Sequence, residues 1–256
     1  MREPLVSVIT PTYNAEAFIS ETIDSVRAQS YQNWEMIIVD DASSDQTTDI
    51  LKAYAAKDAR IKVHALQTNS GAAIARNTAI EKASGSYIAF LDADDLWKPE
   101  KLSRQIAFMQ KNNIDVSFSS YELMDEQGKS LGKMIKALPN VDFAKMLKSN
   151  YVGNLTGIYN AAKLGKVFMP NIRKRQDWAL WLTLIKKVGY AYSLEEPLAK
   201  YRVRQNSISS NKLNLLKYNY AIYRKALKFG AFKSALYLLR FLIEHFFVKP
   251  RQTVQL

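Results

Sequence analysis

Short apolar runs rich in β-branched residues alternate with helically spaced stretches through the first 120 residues, and this alternation constrains the fold most. Runs at 5–10, 34–39, 61–66, 86–91 and 114–120 read as strands. Between them, 16–29 puts Phe18, Ile19, Ile23 and Val26 on one helical face. Residues 44–56 place Ile50, Leu51 and Tyr54 inward, behind a capping Ser44 or Asp45. Residues 71–83 are Ala-rich and helical, and 99–112 complete the pattern. Strand and helix alternating at this spacing predict an α/β, mostly parallel, doubly wound sheet. Ligands of such sheets bind beyond the carboxyl ends of the strands. Polar motifs stand at four of those ends: Pro11-Thr12-Tyr13-Asn14, Asp40-Asp41-Ala42-Ser43, Asn69-Ser70-Gly71 and Asp92-Ala93-Asp94-Asp95.

The last motif is the most charged. Three carboxylates within four residues repel one another and raise one another's pKa unless a positive partner compensates. Hard divalent cations, Mg²⁺ or Mn²⁺, take oxygen ligands and use one or two carboxylates together with substrate phosphates. A purely structural reading has Asp94 or Asp95 capping the helix near Pro99.

Composition narrows the alternatives. Of 256 residues 48% are apolar, enough for a sizeable core, and no cysteine is present, so disulfides and thiolate metal sites are excluded. Residues 1–10 lack the form of a secretory signal. No run reaches the ~20 apolar residues that span a bilayer. These features point to the cytoplasm. The net charge of +12 is uneven: residues 1–120 hold 12 Lys/Arg and 16 Asp/Glu, whereas residues 121–256 hold 24 and 8. A basic half suggests phosphate-bearing ligands, an anionic membrane or nucleic acid. No nucleic-acid motif accompanies that charge, which sets a nucleic-acid-binding protein aside.

After residue 120 the alternation weakens. A turn at Asp125-Glu126-Gln127-Gly128, a short helix before 150, a helix at 177–188 and a long helical region at 211–248 can be read. The set PTYN (11–14), VDDASSD (39–45), NSGAAIARN (69–77), FLDADD (90–95), RQDW (175–178) and YRVRQNSIS (201–209) resembles glycosyltransferase family 2 over residues 4–210. That resemblance implies the GT-A fold, a doubly wound, Rossmann-like mixed sheet, here with a C-terminal helical extension. It divides the chain into a nucleotide-sugar-binding part (1–120), an acceptor-binding part (121–210) and a basic aromatic extension (211–256). A sugar nucleotidyltransferase has related architecture, but it uses a glycine-rich basic loop where Pro11-Thr12-Tyr13-Asn14 stands.

The resemblance also implies roles. Asp94 binds the divalent metal, Mn²⁺ or Mg²⁺, and Asp92 reaches either that ion or the donor ribose, with Ala93 between them. Pro11, Tyr13, Asn14 and Asp41 hold the nucleotide, Tyr13 by stacking and Asp41 by accepting from a base N–H, which suits UDP. A purely structural reading instead makes Asp40 and Asp41 a turn and cap pair, which suits Asp40 better than Asp41. Asn69 and Arg76 flank the glycine turn into a helix, where Arg76 pairs with phosphate or with the acidic cluster, or is a plain surface arginine. Asp177 is the catalytic base of an inverting displacement, or an N-cap. Gln176 stands where the family usually carries Glu. Arg204, where the family often has His, contacts phosphate, and Arg202 is a structural alternative. Processive members carry Gln-x-x-Arg-Trp and transmembrane helices, and this chain has neither. The implied reaction is therefore non-processive transfer from a nucleoside-diphosphate sugar to a glycan or lipid-linked glycan acceptor of a surface polysaccharide such as a capsule or O-antigen.

The tail adds a further expectation. Residues 200–256 hold 12 Lys/Arg against one Asp/Glu, interleaved with Tyr218, Tyr220, Tyr223, Phe229, Phe232, Tyr237, Phe241, Phe246 and Phe247. Basic aromatic helices lie on anionic membrane interfaces. The tail therefore either attaches to the inner face of the cytoplasmic membrane or packs on the core or on a second subunit.

Overall fold

The computed structural model describes residues 3–204 and 212–256. The part of the 201–209 motif from Gln205 onward lies outside the described residues. The first elements in chain order are β1 (Val6–Thr12), α1 (Ile19–Arg27), β2 (Trp34–Asp40), α2 (Thr47–Lys57), β3 (Ile61–Ala65), α3 (Ala72–Lys82), β4 (Tyr87–Phe90), β5 (Leu96–Trp97) and α4 (Lys101–Lys111). There follow β6 (Val116–Met124), β7 (Ser130–Ile135), β8 (Asn140–Asp142), α5 (Phe143–Met146), β9 (Ile158–Asn160), α6 (Ala161–Leu164), α7 (Gln176–Val188) and β10 (Tyr190–Arg202). The chain finishes with α8 (Lys212–Ala221), α9 (Ala231–Ile243) and β11 (Thr253–Gln255).

The strands form one sheet in the order β11-β7-β6-β9-β4-β1-β2-β3. The β4-β1-β2-β3 half is parallel throughout, with Val6 opposite Trp34 and Tyr87, and Thr12 opposite Asp40. The sheet becomes mixed beyond β4: β9 lies antiparallel between β4 and β6. β10 runs parallel to β6 and antiparallel to β5 and β8.

Every residue of β1 and β2 is buried. Central parallel strands are covered on both faces, which is why they read as continuous apolar runs. Alternate side chains feed two cores. Ile9, Ile37, Val39, Ile88 and Phe90 pack with Ala75 and Ala79 of α3 and with Trp178 and Trp181 of α7. Val6, Val8, Met36, Ile38 and Ala89 pack with Ile19 and Ile23 of α1 and with Leu102 and Ile106 of α4.

β7 to β11 are not announced by the sequence. β7 is an exposed hairpin strand between β6 and β11 without apolar alternation, β9 has only three residues, and β10 contains Pro197 and shifts register around it. The 125–128 turn does form: Asp125 Oδ1 accepts from the N–H groups of Gln127 (3.0 Å) and Lys129 (2.8 Å). The helical region expected at 211–248 is divided. α8 gives way to a π-helical turn at Ile222–Ala226, and Lys228 takes a left-handed φ of 55° before α9 begins behind Gly230. Tyr223 and Phe241 are buried in the core, while Phe232, Phe246 and Phe247 face outward.

Gly157 sits where β9 meets α7. A Cβ added there would lie 2.2 Å from the Trp181 indole, which packs edge-on against Phe90 at 5.6 Å. Gly157→Ala should therefore destabilise the fold by about 1–3 kcal/mol, the cost of overpacking a filled core. A chemical denaturation midpoint equal to that of the wild type would refute this packing.

Candidate active site

The carboxyl ends of β2, β3 and β4 are extended by one ladder bond each: Asp41 N–H to Thr12 O (2.8 Å), Leu66 N–H to Asp40 O (2.8 Å) and Leu91 N–H to Ile9 O (3.1 Å). The loops that follow are stitched together. Asn14, at φ 46°, donates its N–H to Ser43 Oγ (2.9 Å), and its Oδ1 accepts from Ser44 N–H (2.9 Å). Asp40 is a turn residue, accepting from the hydroxyls of Ser43 and Thr48, but it does not cap α2, which opens behind Gln46 with no side-chain cap. Asp41 is buried, and its carboxylate accepts from the N–H groups of Ser70 (2.6 Å) and Gly71 (2.8 Å). The Asn69 amide donates to the Asp41 carbonyl (3.3 Å). Gly71 has φ 92°, a conformation open to a residue without Cβ, as the chain turns into α3. Pro11 is buried at the end of β1, and Tyr13 beside it is 50% exposed at the mouth of the crevice. Asp41 thus shapes the α3 entrance while keeping further lone pairs.

The acidic motif is held between two arginines. Arg76, on α3 and only 7% exposed, donates through Nη2 to Asp92 Oδ1 at 2.5 Å. It is no surface arginine. Asn154 Nδ2 approaches the same oxygen at 3.3 Å. Burial works against the Arg76 charge, but Asp92 overrides it, helped by Asp177 and Asp94, and the pKa is raised. Arg204 Nη1 donates to Asp94 Oδ2 (3.2 Å), Nε lies 3.6 Å from Glu126 Oε1, and the guanidinium covers the Phe18 ring at 4.7 Å. Burial and the Asp92 charge raise the Asp94 pKa, and Arg204 offsets part of that. Ala93 is buried, and its carbonyl accepts from Thr22 Oγ1 (3.0 Å).

Asp95 and Arg202 form the scaffold beneath. Burial, with Asp94 and Asp92 adding to it, pushes the Asp95 carboxyl well above the usual range; its Oδ1 accepts from Arg202 N–H (2.9 Å). The buried Arg202 guanidinium donates to Asp94 O (2.8 Å), Glu126 O (2.8 Å) and Glu21 Oε2 (2.6 Å). Arg202 is thus structural. Neither Asp94 nor Asp95 caps α4, which opens behind Glu100 with no side-chain cap.

Asp177 faces the same crevice. α7 opens behind Arg175, which takes a left-handed φ of 67°, so Asp177 is the second helical residue and not the N-cap. Its Oδ2 accepts from Asn150 Nδ2 (2.8 Å). The preceding Gln176 is buried, and its Oε1 has no hydrogen-bond partner among the described residues. A carboxylate at 176 would be desolvated without a partner, a cost the neutral amide avoids. Arg76 links the two halves of the site, since it feels Asp92, Asp177 and Asp94 together.

Asn150 and Asn154 carry side-chain contacts to the acidic residues, yet neither belongs to a sequence motif. Their one signal is two amides in the otherwise apolar stretch leading to Ile158. The donor set suits a hard cation. The bonds to Arg76, Asn154 and Arg204 engage Asp92 Oδ1 and Asp94 Oδ2, leaving Asp92 Oδ2 and Asp94 Oδ1 outside them. Among the described residues no three His, Asp or Glu side chains converge to form a complete cage. A two-carboxylate site completed by diphosphate oxygens and water is the form Mg²⁺ typically takes.

Comparison with known proteins agrees with this geometry. Residues 7–167 match the family described as "Glycosyl transferase family 2". The chain is 49% identical over 223 residues to "Putative teichuronic acid biosynthesis glycosyltransferase TuaG" of Bacillus subtilis, covering 87% of this chain and 88% of that protein. It is 42% identical over 218 residues to "UDP-Glc:alpha-D-GlcNAc-diphosphoundecaprenol beta-1,3-glucosyltransferase WfgD" of Escherichia coli, covering 85% and 84%. Among solved structures, S. aureus TarS 1-349 in complex with UDP superposes with a TM-score of 0.68 at 25% identity, covering 94% of this chain and 71% of that one. The chain belongs to glycosyltransferase family 2 and is a glycosyltransferase with the GT-A fold.

Proposed function

We propose that this enzyme moves one sugar per catalytic event, with inversion, from a UDP-sugar to a glycan or lipid-linked glycan acceptor during surface polysaccharide synthesis. The observation that carries this reading is Arg76, a buried cation in reach of the acidic motif and of Asp177 at once. The relatives point the same way: one is named for teichuronic acid biosynthesis, and another for transfer from UDP-Glc to a diphosphoundecaprenol-linked sugar. In this reading residues 1–120 bind the donor, 121–210 the acceptor, and 211–256 form the extension.

The donor base stacks on the exposed Tyr13, with Pro11, Asn14, Asp41 and Asn69 shaping its pocket. The diphosphate lies toward Arg76 and Arg204, whose charge the crevice carboxylates hold in place. Asp94 and Asp92 would hold Mn²⁺ or Mg²⁺, which when bound would neutralise charge on the leaving diphosphate. Asp177 accepts the proton of the acceptor hydroxyl as that oxygen bonds to the anomeric carbon. The bond from that carbon to the diphosphate breaks on the opposite side, and its electron pair departs with UDP. A positioned base contributes ~10²–10⁴-fold to such a step.

The extension supports attachment to the inner face of the cytoplasmic membrane. Phe232, Leu236, Leu239, Ile243, Phe246 and Phe247 form one exposed stripe along α9 and the turn after it, with Phe232 87% and Phe247 70% exposed. Arg224, Lys225, Lys228, Lys233 and Arg240 are exposed around it. Apolar residues rimmed by cations suit an anionic lipid surface. No helix among the described residues is long and apolar enough to cross a membrane.

Three outcomes are expected. Asp177→Asn should leave UDP affinity intact and reduce transfer at least ~100-fold; near-normal turnover would exclude Asp177 as the base. Asp94→Ala should weaken Mn²⁺-dependent UDP binding at least ~10-fold by calorimetry, and an unchanged Kd would remove Asp94 from the metal site. Replacing Phe232, Phe246 and Phe247 with Ser should abolish co-sedimentation with anionic vesicles without altering soluble turnover. Undiminished co-sedimentation would contradict membrane attachment through this face.

A further inference from the structure

The C-terminal extension reaches the catalytic crevice from behind. Trp178, next to Asp177, is buried against Tyr223 and Phe241, each 5.8 Å away between ring centroids. The Tyr223 hydroxyl donates to Leu147 O (2.7 Å). Glu244 is buried and accepts from Lys145 Nζ (2.5 Å) and from the Tyr151 hydroxyl. Lys249 Nζ donates to Asn150 O (2.6 Å) and lies 5.7 Å from the Tyr151 ring centroid, with Lys145 at 4.8 Å from the same ring. Residues 145–151 are therefore clamped by residues 223–249. Inside the clamp, Asn150 turns its amide onto Asp177 Oδ2 (2.8 Å), while its Oδ1 accepts from Val152 N–H (3.3 Å).

We infer that Lys249 is a positioning residue for the transfer reaction: it anchors the Asn150 carbonyl, aims the Asn150 amide at Asp177, and places a positive charge within reach of that carboxylate. This inference rests on the reading of Asp177 as the base. The surroundings fit an ammonium kept for its charge. Burial and Arg175, at the head of α7, pull the Lys249 pKa down to about 8, and Asp177 opposes them. Lys145, paired with Glu244, approaches the same Tyr151 ring. A lysine there for bulk alone would leave a desolvated charge without purpose, whereas an ammonium bonded to the Asn150 carbonyl offsets that cost. The extension then does two jobs: one face meets lipid and the other completes the site.

The test uses the full chain and compares Lys249→Met, Lys249→Arg, Asn150→Ala and Asp177→Asn. Lys249→Met should bind UDP with Mn²⁺ within about twofold of wild type, yet lose ~10- to 100-fold in kcat, the scale on which small misplacements act. Lys249→Arg, which keeps the charge, should recover most of that loss. Asn150→Ala should reproduce the kcat loss with UDP affinity intact, and it carries the test if Lys249→Met fails to fold. Normal kcat in either Lys249→Met or Asn150→Ala would overturn the inference. So would a loss of UDP affinity parallel to the loss of kcat, or an arginine variant as poor as the methionine one. Asp177→Asn separates the two levels: if it turns over normally, the base assignment itself fails, whereas an inactive Asp177→Asn beside a normal Lys249→Met sinks only the role of Lys249.

Discussion

The contact between the buried Arg76 and the partly exposed Asp92 is the interaction on which the rest of the site depends. Arg76 projects from α3 and Asp92 from the end of β4, so the pair fixes a helix to a strand at the floor of the crevice. Removing Asp92 would leave the buried Arg76 guanidinium desolvated and without its nearest counter-charge. Three more charges are organised around this contact. Asp94 faces Arg204, Asp95 receives the β10 backbone at Arg202, and Asp177 lies within electrostatic reach of Arg76.

This arrangement separates scaffold from working groups within four residues. Asp95, buried and held by a backbone N–H, stabilises the join between the β4 end and β10. Asp92 and Asp94 share their charge with two arginines and keep oxygens directed elsewhere. In the proposed reaction a diphosphate would offer the arginines new partners and free the carboxylates for a cation. Arg202 contributes by bracing; its guanidinium contacts Asp94 O, Glu126 O and Glu21 and leaves Arg204 as the cation paired with the Asp94 carboxylate.

Much of this was legible in the sequence, for physical reasons. β1, β2 and β4 lie inside the sheet, so burial on both faces wrote them as apolar runs; β3, at the sheet edge and half exposed, showed as a shorter mixed run, and the polar exits of all four marked the crevice. The division of labour between Asp40 and Asp41 was half visible. Asp40 holds the turn after β2, but the carboxylate of Asp41 bonds the Ser70 and Gly71 backbone, a partner fixed only by the β2–β3 pairing. β7 to β11 were silent because edge strands, three-residue strands and a proline-containing strand carry no alternation. Asn150, Asn154 and Lys249 were silent because each is brought to its partner from 27, 62 and 99 residues away. No local pattern encodes a contact of that range. The tail, read as one helical region, is instead two helices split by Lys228 and Gly230, which lets Tyr223 and Phe241 face the core while Phe232 and Phe247 face outward.

The central claim is that donor diphosphate and catalytic base meet across Arg76. A crystal structure of the enzyme with an intact UDP-sugar and Mn²⁺ tests this most directly. The account predicts the diphosphate between Arg76, Arg204 and the Asp92–Asp94 carboxylates, with the anomeric carbon turned toward Asp177. A nucleotide bound away from the strand ends, or a sugar whose anomeric carbon faces away from Asp177, would contradict it.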